Sequence, residues 1–222
     1  MAQTILITGA NRGIGLAFTK GYCNRGDKVY AVCRQTSDEL SSLDNTVIID
    51  GVDITNDQDI QKMQQSLGDT TLDIIINNAG ILHDEVLGDI NYQTIEQQYQ
   101  VNTLGPLRVS EALLDNLDAG SKIALITSRM GSITDNTSGG RYGYRMSKAA
   151  LNAAGMSLAQ DLKSKQIAVA ILHPGYVMTD MTHHTGLIDT AQSASGLMQR
   201  IDELTLESTG SFWHTNGELL PW

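Results

Sequence analysis

From Thr4 to Trp213 the chain alternates short, β-rich apolar runs with amphipathic segments of helical length. That alternation leaves few architectures open. Strand, helix, strand is the repeating unit of a parallel sheet, and a run such as Ile74-Ile75-Ile76 must be covered on both faces. We read strands over 4–8, 28–33, 47–50, 72–76, 121–127, 167–172 and 211–213, with the intervening stretches helical. The expected fold class is therefore α/β, a doubly wound parallel sheet of about seven strands. Asn56 with Asp57 and Asp59 reads as a capped helix start, and Gly26, Gly68 and Gly120 read as helix ends. The least regular stretch, residues 179–190, follows a strand end and is the expected lid.

The first strand runs into Thr8-Gly9-Ala10-Asn11-Arg12-Gly13-Ile14-Gly15 and then directly into a helical pattern. Without Cβ atoms, Gly9, Gly13 and Gly15 permit a tight turn that brings backbone N–H groups and a helix N-terminus against a pyrophosphate. With four steps from Gly9 to Gly13 and two to Gly15 the order departs from G-x-G-x-x-G, but in this strand–helix setting the turn reads as a Rossmann-type dinucleotide site. At the end of the second strand an acid would accept from a ribose 2′-hydroxyl; this chain has Cys33 and Arg34 instead. A guanidinium fork suits a 2′-phosphate, which favours NADP(H) over NAD(H).

The sharpest chemical signal is Tyr144-Arg145-Met146-Ser147-Lys148 at the head of a long helical stretch. Four residues apart, the phenol and the ammonium share a face, and a nearby cation is expected to lower the pKa of a tyrosine far enough for acid–base work. Tyr142 has Met146 in the corresponding place and gains no such partner, while Arg141 and Arg145 are expected to point elsewhere.

Glycine turn and Tyr-x-x-x-Lys together resemble the short-chain dehydrogenase/reductase family, over essentially the whole chain. The resemblance implies that Gly9, Asn11, Arg12, Gly13, Ile14 and Gly15 line the pyrophosphate, with Arg12 a further sign of NADP. It gives Asp53 and Ile54 to the adenine, and gives Asn78, Ala79 and Gly80 to the sheet and the cofactor ribose. Pro174, Gly175, Val177 and Thr179 would border the nicotinamide. Ser128, at the end of the fifth strand, would polarise the substrate carbonyl; it lies 16 residues before Tyr144, a longer spacing than usual, and Ser132 is the weaker alternative. Asn102 would order a water joining Lys148 to solvent. The implied reaction is hydride transfer between nicotinamide and a carbonyl or alcohol, with Tyr144 as acid and base. The stretch from Ser128 to Lys148 and the short C-terminus look like the C-factor-like and carbonyl-reductase-like branch. A second reading therefore stands beside the enzyme: a cofactor-binding signalling or interaction protein with incidental chemistry.

Composition narrows the partners. At 222 residues, with 41% hydrophobic and 18% charged residues, the chain is expected to form one domain over 1–222. A net charge of -10 and scattered Lys and Arg disfavour nucleic acid, and no apolar run has membrane-spanning length. Two cysteines, Cys23 and Cys33, and no leader before the first strand fit a cytoplasmic protein. No metal is expected: Asp50, Asp53, Asp57 and Asp59 lack the alternating calcium pattern, and His183 and His184 are adjacent in sequence. The expected partner is a small carbonyl or alcohol, and the resemblance implies a homodimer or homotetramer.

Overall fold

The computed structural model describes residues 2–222; Met1, first residue of the domain expected over 1–222, lies outside them. Seven strands form one sheet: β1 (Thr4–Thr8), β2 (Lys28–Val32), β3 (Thr46–Ile49), β4 (Leu72–Asn77), β5 (Leu117–Ile126), β6 (Ala168–His173) and β7 (Phe212–His214). Their order is β3-β2-β1-β4-β5-β6-β7 and every pairing is parallel, which is the doubly wound Rossmann arrangement. The helices are α1 (Gly13–Asn24), α2 (Asp38–Ser41), α3 (Asp57–Leu67), α4 (Tyr92–Tyr99), α5 (Gly105–Ala112), α6 (Tyr142–Leu162) and α7 (Thr190–Glu203).

Strand periodicity divides the core into two layers. Ile5, Ile7, Ile74, Ile76, Ala124 and Ile126 face one way and pack with Phe18 and Tyr22 of α1 and Leu197 and Ile201 of α7. Their neighbours Leu6, Ile75, Ile123 and Leu125 face the other way, onto Ile60 and Met63 of α3, Val109 of α5 and Leu151 of α6. Three consecutive isoleucines in β4 follow from this: each face takes its share of a strand that is buried from Ile74 to Asn77.

Asn56 caps α3, its Oδ1 accepting from the N–H groups of Gln58 at 2.9 Å and Asp59 at 3.3 Å. Gly26 and Gly68 stand just past α1 and α3 at φ +88 and +54, as helix-ending glycines should. Gly120 is different. It lies inside β5 at φ +95, where the pairing of β5 with β4 slips between Leu72 and Ile74, so it serves a strand irregularity instead of a helix end. Nor are all the stretches between strands helical. Residues 78–91 and 132–141 are irregular, and both border the site described next.

Candidate active site

The strand order reverses between β1 and β4, and the carboxyl ends of the two strands open a cleft there. Gly9 at φ +67 and Gly13 at φ +56 turn the chain from β1 into α1. Gly15 is packed behind the turn, where a Cβ would come within 2.1 Å of the Gly9 carbonyl oxygen. The Gly13 position is open, with only the Thr179 methyl 3.7 Å from where a Cβ would stand. Just past β4, the N–H groups of Asn78 and Ala79 donate to Thr8 Oγ1 at 3.1 Å, and Asn78 Nδ2 donates to the Thr8 carbonyl at 3.0 Å. This lacing holds the two strand ends at a fixed separation.

A cavity of about 1570 Å³ fills the cleft, merging at one side with a groove between α1 and α7. Its wall includes Gly9, Asn11, Arg12, Gly13, Ile14, Arg34, Asp53, Ile54, Asn78, Ala79, Gly80, Tyr144, Lys148, Pro174 and Thr179. Gly15, Asn102, Ser128, Gly175 and Val177 are not in that wall. Val177 is buried and bridges Ile188, and Gly175 turns the chain at φ +87. Asn11 Nδ2 donates to the Gln35 carbonyl at 2.8 Å. Asp53 spends one carboxylate oxygen on its own turn, accepting from Thr55 N–H at 2.9 Å and Thr55 Oγ1 at 2.7 Å. Arg34 makes no ion pair among the described residues, whereas Arg12 spans the mouth of the cleft to Asp180 at 2.9 Å. Asp180 belongs to the segment expected as a lid, and it also meets His184 at 3.1 Å.

Tyr144 and Lys148 lie on the first turns of α6, 8% and 4% exposed. The Lys148 ammonium donates to the Ile126 carbonyl at 2.9 Å and sits 5.8 Å from the centroid of the Tyr144 ring. Burial pushes the phenol above its ordinary value, against a lowering by the neighbouring Ser128 hydroxyl and by the Arg141 charge. Burial also brings Lys148 down to about 8. The expectation that Lys148 lowers Tyr144 is thus corrected for the free protein: the amine is spent on a main-chain carbonyl, and desolvation dominates both groups. Arg141, expected to point elsewhere, is instead close enough to favour the phenolate.

Ser128 opens a short 3₁₀ turn over Arg129–Gly131, its Oγ accepting from the Met130 N–H at 3.1 Å. That turn lies against α6, and a Cβ on Gly131 would stand 2.7 Å from the Lys148 carbonyl carbon. The alternative, Ser132, has its hydroxyl engaged by the Asp135 N–H at 3.1 Å. Asn102 sits in a π-helical turn over Gln100–Leu104. Its amide exchanges hydrogen bonds of 2.8 Å with the Ile81 main chain and donates to Ser147 Oγ at 3.0 Å. His173 packs edge-on against His214, ring centroids 4.9 Å apart, and burial lowers its pKa to about 3.

The model of the short chain dehydrogenase family matches residues 3–187. This chain belongs to the short-chain dehydrogenase/reductase family. Within it the chain stands in the carbonyl-reductase-like branch. It is similar to 1-hydroxy-2-glutathionyl-2-methyl-3-butene dehydrogenase of Rhodococcus sp. (strain AD45), 38% identical over 226 residues that cover 99% of this chain and 100% of that protein. The C-signal protein of Myxococcus xanthus is 42% identical over 154 residues, 68% of this chain and 93% of that one. Among solved structures, NADPH-bound carbonyl reductase from chicken fatty liver superposes with a TM-score of 0.92 at 28% identity, covering 100% of this chain and 99% of that chain.

Two features of this oxidoreductase escape a reading of its sequence. Thr127 Oγ1 donates to Asn152 Oδ1 at 2.7 Å, tying the end of β5 to α6 one turn beyond Lys148. Glu85, in the irregular stretch after β4, is 2% exposed and bonded to the first turn of α6. Neither stands in a recognisable spacing. The only sequence hint is an acidic residue followed by Val86 and Leu87 in a loop.

Proposed function

We propose that this protein is an NADP(H)-dependent oxidoreductase that interconverts a carbonyl and an alcohol, with Tyr144 as the proton donor and acceptor. The observation that carries the reading is the burial of Tyr144 and Lys148 at the inner end of a cleft whose outer end holds Arg34, a cation with no ion pair among the described residues. The cleft suits a dinucleotide on its own geometry. Gly13 leaves open space where a side chain would stand, and α1 opens toward it with no side-chain cap on its first N–H groups. Gly9, Asn11, Arg12, Gly13 and Ile14 would hold the pyrophosphate. Arg34 would take the 2′-phosphate, with Arg12 reaching the phosphates by leaving Asp180. Asp53 and Ile54 would flank the adenine, Asn78, Ala79 and Gly80 the ribose, and Pro174 and Thr179 the nicotinamide, backed by Gly175 and Val177. The NADPH named for the similar chicken carbonyl reductase supports this choice.

When bound, the nicotinamide supplies or accepts the hydride at the carbonyl carbon. The protein's part is the oxygen. Ser128, whose hydroxyl neighbours the Tyr144 phenol, would join Tyr144 in donating to that oxygen, and two hydroxyl donors there would stabilise the alkoxide charge as it develops. Tyr144 gives its proton to that oxygen, and its raised pKa in the free protein keeps the proton in place for reduction. Lys148, brought to about 8, is poised to restore it near neutral pH. Asn102 lies next to Lys148 across Gly80: a Cβ there would be 3.2 Å from Asn102 Oδ1 and 3.7 Å from Lys148 Nζ. Asn102 would order the water that joins Lys148 to solvent.

Similarity to C-signal favours the second reading, a cofactor-binding signalling protein. Intact Ser128, Tyr144, Lys148 and Asn102 weigh against it, because binding alone has no need of all four. Assaying a panel of aldehydes, ketones and quinones with NADPH and with NADH separates the two. Turnover faster with NADPH is the expected result; cofactor binding with no turnover across the panel would favour the signalling reading.

A further inference from the structure

Helix α6 carries Tyr144 on its first turn, yet it opens without a cap of its own. Arg141, the residue before it, sits at φ +51 and offers no side-chain acceptor to the first N–H groups. Such groups need a partner when buried. It comes from the irregular stretch after β4: Glu85 Oε2 accepts from the Gly143 N–H at 3.0 Å, and the Glu85 carbonyl accepts from the Arg141 N–H at 2.9 Å. The other carboxylate oxygen accepts from Gln98 Nε2 at 2.6 Å and Thr94 Oγ1 at 2.9 Å, both on α4. Gln98 Oε1 in turn accepts from the His83 N–H at 2.9 Å.

Glu85 is thus a buried carboxylate that forms no ion pair among the described residues, satisfied by neutral donors and the positive end of a helix. The seat is tight. A Cβ on Gly143 would stand 2.5 Å from Gln98 Nε2 and 2.9 Å from Glu85 Oε1. Gly143 is bonded covalently to Tyr144, whereas Ser128 and Lys148 are placed by separate contacts, the 3₁₀ turn on α6 and the Ile126 carbonyl. A shift of the clamp would therefore move the phenol relative to Ser128 while leaving the glycine turn of the cleft untouched.

We propose that Glu85, seated on Gln98, is a positioning residue that holds the first turn of α6 so that the Tyr144 hydroxyl stays beside Ser128. This rests on Tyr144 being the proton donor. The test uses Glu85→Gln alone and the exchange Glu85→Gln with Gln98→Glu. In the single variant two amides face each other, and whichever way they are turned one donor meets another. The exchange rebuilds the same seat with the amide and the carboxylate on opposite sides, so the Gly143 and His83 N–H groups both keep an acceptor. For carbonyl reduction we expect the single variant to lose roughly 10- to 100-fold in kcat, with the NADPH Kd from fluorescence titration within about twofold of wild type. The exchange should regain most of that loss. A folded single variant with wild-type kcat would overturn the proposal, as would an exchange variant that folds and binds NADPH but stays as slow as the single one. Should the single variant fail to fold, an exchange variant that folds, binds NADPH and keeps kcat near wild type supports the proposal, and one slowed about 10-fold or more overturns it. Wild type and Tyr144→Phe are run alongside: equal rates in those two would sink the proton-donor reading itself, whereas a slow Tyr144→Phe with an unaffected Glu85→Gln removes only the clamp.

Discussion

The Lys148 ammonium lies 5.8 Å from the centroid of the Tyr144 ring and gives its hydrogen bond to the Ile126 carbonyl, 2.9 Å away. In the free protein it is a buried amine with no ion pair among the described residues, its pKa lowered to about 8 by desolvation. The unfolded chain holds the same amine at its ordinary, higher value, so between about pH 8 and 10 the unfolded state binds more protons and stability rises with pH. Urea unfolding at roughly pH 7.5 and pH 9.5 should show wild type gaining about 2 kcal/mol relative to Lys148→Met across that interval. Above about pH 10 the buried phenols of Tyr22 and Tyr144, both raised, act in the opposite sense, which confines the test to this window. Parallel pH profiles for the two proteins would place the amine in water.

Arg34 is the cation without an ion-pair partner, among the described residues, at the outer end of the cleft. Charge-assisted hydrogen bonds to a phosphate are worth about 1.5–3 kcal/mol, so Arg34→Ala should raise the KM for NADPH by roughly ten- to hundredfold and leave that for NADH within about twofold. An equal effect on both cofactors would move the 2′-phosphate contact elsewhere.

Gly131 lies against the backbone of α6, and a methyl group there would stand 2.7 Å from the Lys148 carbonyl carbon and 2.9 Å from the Ala149 nitrogen. Backbone cannot yield as a side chain can. Gly131→Ala should cost about 1–3 kcal/mol by thermal or urea unfolding and should slow turnover by lifting Ser128 from Tyr144. Unchanged stability and unchanged kcat together would show that the turn has slack.

What could be read from the sequence was what short-range spacing encodes. The glycine turn from Gly9 to Gly15 and the pair Tyr144 and Lys148 each lie within one local element, and the alternation of strands and helices carried the sheet with only the strand ends displaced. Gly120 was misread because a positive φ serves a slipped strand as well as a helix end. Contacts between distant segments left no pattern: Arg12 meets Asp180 across 168 residues, and Glu85 holds Gly143 through a main-chain N–H that any residue but proline carries. The direction of the Tyr144 shift depended on burial, which spacing does not reveal.

Replacing Tyr144 by Phe removes one hydroxyl and tests the assigned chemistry most directly. With NADPH and an accepted carbonyl substrate, kcat should fall by about 10²- to 10⁴-fold, while the NADPH Kd stays within about threefold of wild type. A Tyr144→Phe protein that binds NADPH and reduces the substrate at the wild-type rate would contradict the account.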